Sequence, residues 1–130
     1  MATRHQVRQT VISLLYALEF NEENCEFIDE FLEQKKIRNE QKKFTLSLYR
    51  GIYENMNRID ETINSHLNEN SVEKLGHLER AVLRLGTYEL LFTDTSDAII
   101  INEAVELGKE LTNSPQFING VLDSLIKAKK

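Results

Sequence analysis

The chain has 130 residues, 41% apolar and 28% charged, with 21 Asp and Glu against 16 Lys and Arg and a net charge of −5. That is enough for one domain with its own core, and no run of about 18 apolar residues offers a transmembrane span. The negative total argues against attraction of the whole surface to nucleic acid, and a lone cysteine, Cys25, cannot close an internal disulfide and fits a reducing, cytoplasmic setting.

One proline, scattered glycines and long 3.6-residue periodicities predict an all-α fold. The first helix is expected over 3–20, with Thr3 and Gln6 as a capping box and Val7, Val11, Leu14, Leu15 and Leu18 facing the core. A short helix over 24–33 has Phe27, Ile28, Phe31 and Leu32 as its apolar side. A long one over 39–67 carries Phe44, Leu48, Ile52, Met56, Ile59, Ile63 and Leu67, nearly all at steps of four. "NENSVEKLG" interrupts that pattern and is expected to hold a short turn capped by Ser71.

The helix over 77–92 is apolar on two sides, with Leu78, Ala81, Val82, Leu85, Tyr88 and Phe92 on one and Leu83, Gly86 and Leu90 on the other, so it should be sandwiched. After the "TDTSD" loop a helix runs to Leu111. The last begins with Ser114 as N-cap and Pro115 in the first position. Helical spacing continues through "FINGVLD", which predicts that another helix approaches closely at Gly120. Asn102 and Asn119, inside apolar runs, are expected to be buried amides bonded to neighbouring backbone. Glu89 lies on an apolar side and needs a donor, for which Arg8 and Arg50 are both candidates. The expectation is a single domain over 1–130, with helical subdomains of about 1–68 and 71–130 that share or pack across the helix over 77–92.

Catalysis finds little support. His5, His66 and His77 are widely spaced, Cys25 has no metal-ligand partner at short spacing, and the isolated glycines form no phosphate-cradling loop. No enzymatic activity, metal or cofactor is expected.

Charge is unevenly distributed. Residues 1–18 contain Arg4, His5 and Arg8 and no acid; residues 19–33 contain seven acids and no Lys or Arg; "KKIRNEQKK" at 35–43 contains five bases and one acid. Positions 5, 8, 9, 12 and 16 form one shoulder of the first helix. There His5, Arg8, Gln9 and Tyr16 offer cations, donors and a ring, with Ile12 packed beneath. Cations in a first helical turn are unfavourable by about 0.3–1 kcal/mol. Docking of an anion would reverse that penalty, and Tyr16 could stack a base of a single strand. A solvated helix end with a packed tyrosine fits the same residues, and the residues alone favour it. The bases at 35–43 likewise read first as a solvated face, Lys35, Lys36 and Arg38 complementing the end of the preceding helix.

Four segments, "RHQVRQTVISLLYALEF", "HLERAVLRLGTYELLF", "IIINEAVELGKEL" and "FINGVLDSL", stand in an order and spacing that resembles the NusB family of bacterial transcription antitermination factors. Residues 21–70 match it only in helical pattern. The resemblance implies two perpendicular helical bundles of about seven helices and no catalytic centre. It implies binding of the boxA RNA element of ribosomal RNA leaders together with NusE, a small-subunit ribosomal protein. That pair would join NusA, NusG and RNA polymerase in a complex that suppresses termination.

It puts RNA contacts on Arg4, His5, Arg8, Tyr16, Gln116 and Phe117, to which the helix shoulder adds Gln9, and puts the NusE surface on Tyr16 and Glu79. Phe117 could equally belong to the core. The chain departs from the family in having uncharged Gln6, Val7 and Gln9 where relatives carry a denser arginine run, and Gln116 where a lysine often stands. The family includes monomers and dimers, so a homodimer stays open. Two other readings are a NusB-like domain of a ribosomal RNA cytosine methyltransferase and a purely protein-binding scaffold. The first lacks here a strand, glycine loop and helix for a cofactor.

Overall fold

Seven α-helices and one 3-10 turn, with no strand, make up the described residues of the computed structural model, which are 2–20, 25–68 and 71–129. The helices are α1 (Arg4–Phe20), α2 (Cys25–Gln34), α3 (Asn39–Glu54), α4 (Met56–Asn64), α5 (His77–Phe92), α6 (Asp97–Leu111) and α7 (Pro115–Lys129), with the 3-10 turn at Val72–Lys74. None is long and apolar enough to cross a membrane.

The capping box of α1 forms as its sequence predicts. Thr3 N donates to Gln6 Oε1 at 2.8 Å and Gln6 N donates to Thr3 Oγ1 at 3.1 Å. The predicted start of α2 at Asn24 lies outside the described residues. Its end is a Schellman motif: Ile37 N donates to Leu32 O at 2.9 Å, Lys36 N donates to Glu33 O at 3.0 Å, and Ile37 and Leu32 are both buried. The motif needs a left-handed residue, and Lys36 supplies it at φ 58°. A side chain there costs on the order of 1 kcal/mol relative to glycine.

The single helix expected over 39–67 is two helices that meet at Asn55 (φ −114°, ψ 19°). Asn55 Nδ2 donates to Gly51 O at 2.8 Å, a carbonyl that Asn55 N also uses at 3.1 Å. The side chain thus competes for the helical ladder and interrupts it. The step of three from Met56 to Ile59 offsets the drift of about 40° that each step of four adds, so the apolar stripe keeps one face across the break and Ile59 and Ile63 are fully buried. Ser71 stands at the cap of the 3-10 turn without a side-chain bond; Asn64 Oδ1 accepts from Val72 N instead, at 2.8 Å.

Helix α5 packs against α1, α3, α4, α6 and α7, and is buried from Ala81 to Leu83 and from Leu85 to Thr87, as a helix apolar on two sides requires. Gly51 lets α3 approach it: a Cβ there would lie 2.1 Å from Tyr88 Oη. Gly86 sits under Leu122 of α7 in the same way.

The C-terminal helices correct three expectations. Gly120 is exposed and nothing lies within 4 Å of a Cβ built on it, so no helix approaches there. Asn102 and Asn119 are exposed as well. Successive residues on a helix lie about 100° apart, so Asn119 points away although Ile118 beside it is buried.

Candidate nucleic-acid and partner interface

The N-terminal half of α1 is cationic in sequence but largely neutralised in three dimensions. Arg8, expected on the surface, is 4% exposed and Glu89 of α5 is 2% exposed. Arg8 Nε donates to both Glu89 oxygens at 3.2 and 3.1 Å, and Nη2 donates to Oε1 at 2.9 Å. Glu89 therefore finds its donor in Arg8, and Arg50 stays exposed. Burial of a charge is sustainable only with such a fork of paired, charge-assisted bonds.

His5 is held next to this pair. Its Nδ1 lies 2.5 Å from Glu103 Oε2 and its Nε2 lies 2.6 Å from Glu110 Oε1, both on α6. Two carboxylate acceptors require both ring nitrogens to donate, which is the imidazolium. The hydrogen bond to Glu103 accordingly holds the His5 pKa above its usual value; burial opposes it and Glu110 assists it. Gln9 Nε2 donates to Glu110 Oε2 at 3.2 Å. Three of the predicted RNA contacts, His5, Arg8 and Gln9, are thus engaged in fixing α1 to α5 and α6. Arg4 remains at the surface, its guanidinium 3.8 Å from the centre of the Phe44 ring.

The other end of α1 is different. Tyr16 and Phe20 are 41% and 56% exposed, and they form a cluster with the exposed His77 at the start of α5. Ring centres lie 5.0 Å apart for Tyr16 and Phe20, 4.8 Å for Phe20 and His77, and 6.0 Å for Tyr16 and His77. Glu19 anchors the cluster from behind. It pairs with His77 at 2.7 Å and with Arg80, which also donates to the carbonyls of Val72, Glu73 and Leu75. Arg84 is fixed in turn by two 2.9 Å bonds to Asp60 of α4.

Beside these rings a groove of about 400 Å³ brings together Tyr16, Leu78, Glu79, Leu111 and Asn113. One Glu79 oxygen accepts from Gly76 N at 3.2 Å, completing the first turn of α5. Gln116 is exposed in the first turn of α7, two residues past Ser114 on the groove's edge. Phe117 is half-buried and packs against the core. The two residues predicted to meet a partner, Tyr16 and Glu79, thus share one surface, while Arg4 lies three turns away on α1. Phe20, one turn beyond Tyr16, and the acids Glu103 and Glu110, two turns apart on α6, carried helical-spacing signals that the sequence reading did not use. Among the described residues no group of three or more His, Cys, Asp or Glu is placed to hold a metal ion.

Residues 5–127 match the model of the NusB family. The chain is 71% identical to the transcription antitermination protein NusB of Campylobacter jejuni, with both chains covered in full, and 59% identical to that of Campylobacter lari over 98% of each. Among solved structures it is similar to Thermotoga maritima NusB, at 34% identity and a TM-score of 0.85 over 97% of this chain and 92% of that one. It is equally similar to a chain in a crystal structure of antitermination factors NusB and NusE in complex with double-stranded RNA, at 32% identity and a TM-score of 0.85 over 96% of each.

Proposed function

This chain belongs to the NusB family of transcription antitermination proteins, and from that premise we propose that it is a non-enzymatic adaptor that binds boxA RNA together with NusE. In the cytoplasm, the pair would join NusA, NusG and RNA polymerase and suppress premature termination. The observation that carries the NusE half is the groove in which Tyr16 and Glu79, 63 positions apart, stand beside the exposed rings of Phe20 and His77. Exposed aromatic anchors over an apolar floor, here Leu78 and Leu111, are what interface cores are made of. NusE is basic, as ribosomal proteins tend to be, so the acidic surface of this chain would steer the encounter. The similarity to a chain crystallised with NusE and RNA supports the same pairing.

On the RNA side, Arg4 and the first turn of α1 would meet phosphates, with Gln116 near the edge of the partner groove and Phe117, half-buried against the core, next to it in the chain. His5, Arg8 and Gln9 contribute by positioning: their bonds to Glu89, Glu103 and Glu110 hold α1 in register with α5 and α6. The full-length match to antitermination proteins favours this adaptor over the methyltransferase appendage.

Calorimetric titration of NusE into wild type, Tyr16→Ala and Glu79→Lys tests the assignment. Losing a central anchor costs about 1–2 kcal/mol or more, or roughly tenfold in affinity. Glu79→Lys also loses the bond to Gly76 N, so Tyr16→Ala is the cleaner variant. NusE affinity equal to wild type in both would remove this groove from the interface.

A further inference from the structure

A second cavity, of about 340 Å³, lies between α1 and the α2–α3 connection. Gln6, Gln9 and Ser13 form one wall and Lys35, Lys36 and Ile37 the other, and no carboxylate lines it. Among the five bases of residues 35–43, Arg38 pairs with Glu33, Lys42 with Asp29 and Lys43 with Glu40. Lys35 and Lys36 pair with no carboxylate among the described residues, and these two line the cavity. Lys35 Nζ lies over the Phe31 ring at 5.5 Å.

The turn that carries them is fixed. The Schellman bonds lock it from one side and the buried Ile37 anchors it from the other, so both lysines project from a rigid base. Lys36 occupies a left-handed position at which glycine is the ordinary choice. The opposite wall is polar. Gln6 turns its Oε1 to Thr3 N, which leaves its NH2 group for the cavity. Ser13 Oγ donates to Gln9 O and so offers lone pairs to a hydroxyl. The first turn of α1, with the positive end of its dipole, borders the same space through Gln6, and Ala2, just before the helix, lines it too.

We propose that this cavity is a phosphate-binding subsite for the sugar–phosphate backbone of the RNA, with Lys35 and Lys36 neutralising adjacent phosphates and Gln6 and Ser13 meeting phosphate and ribose oxygens. It rests on the RNA-binding reading above and extends it from the tip of α1 to the α2–α3 connection. An acidic protein then holds RNA along a narrow cationic strip without attracting nucleic acid over the rest of its surface.

The test is the affinity of fluorescein-labelled boxA RNA, with NusE present, over a series of salt concentrations. Each cation meeting a single-stranded backbone contributes about 0.7 to the slope of log affinity against log salt. The Lys36→Gly variant removes one ammonium while placing the preferred residue at φ 58°, so its folding is not at risk. Its slope should fall by about 0.7 and its affinity about fourfold near physiological salt. With Lys35→Gln added, the slope should fall by about 1.4 and the affinity by at least about tenfold. NusE affinity without RNA should be unaltered in both. RNA binding by wild type with an unchanged slope in both variants would overturn the subsite alone, and so would a loss of NusE affinity. Absence of RNA binding by wild type would overturn the subsite and the reading beneath it together.

Discussion

Substituting Arg8 by methionine should destabilise the protein severely. The change keeps the length and apolar stem of the side chain but strands the Glu89 carboxylate, 2% exposed, without the three bonds it receives. Removing one partner of a buried pair typically costs about 3–5 kcal/mol. At 0.05–0.15 kcal/mol per residue, a chain of this length has roughly 6–20 kcal/mol to lose. The melting temperature should drop by about 10–20 °C. Replacing both partners, Arg8→Met with Glu89→Leu, removes the stranded charge and should restore stability to within about 1 kcal/mol of wild type. Urea unfolding followed by far-UV circular dichroism measures both. If Arg8→Met lies within about 1 kcal/mol of wild type, or the double variant is no better than the single, the pair is not the buried lock described here. Charge reversal, Arg8→Glu, which a surface arginine would tolerate without loss of stability, should be the worst of the series because it adds a carboxylate beside Glu89 and Glu103.

Two further outcomes concern stability. His5 has a raised pKa in the fold, so the stability it contributes is complete below its unfolded value of about 6.5 and is lost as pH rises through the folded value; the melting difference between wild type and His5→Gln should therefore shrink from about pH 6 to pH 9, and a difference that grows with pH would contradict the imidazolium clamp. Gly120 lies exposed in the interior of α7 with open space around it, so Gly120→Ala should stabilise by up to about 1 kcal/mol in the same urea assay, and a destabilised variant would mean that something does pack there.

What the sequence made legible was local. The Thr3–Gln6 box, the two-sided α5 and the Pro115 start of α7 each depend on residues within a turn or two of one another. The break at Asn55 was hidden because the apolar stripe runs on in steps of four across it, and no pattern tells whether an asparagine will take a carbonyl from its own ladder. The environment of Arg8 was half visible. Glu89 advertised the need of a buried acid for a donor, yet choosing Arg8 over Arg50 required knowing that α1, not that part of α3, crosses its face. Asn102 and Asn119 lie within apolar runs, but neighbours in the chain are not neighbours on a helix face, and a helical pattern that continues through Gly120 does not tell whether anything packs against it. Tyr16 and Glu79 were linked by family resemblance; nothing in their spacing told that they share a groove. Lys35 and Lys36 could be told from Arg38, Lys42 and Lys43 only once each partner was placed.

The most direct measurement is the fluorescence anisotropy of labelled boxA RNA titrated with this protein at physiological salt, with and without NusE, beside an RNA of scrambled sequence. Joint binding predicts that NusE tightens boxA binding by about tenfold or more, within the usual range of coupling between sites, and leaves the scrambled RNA weakly bound. Equal affinity with and without NusE, or equal binding of both RNAs, would contradict it.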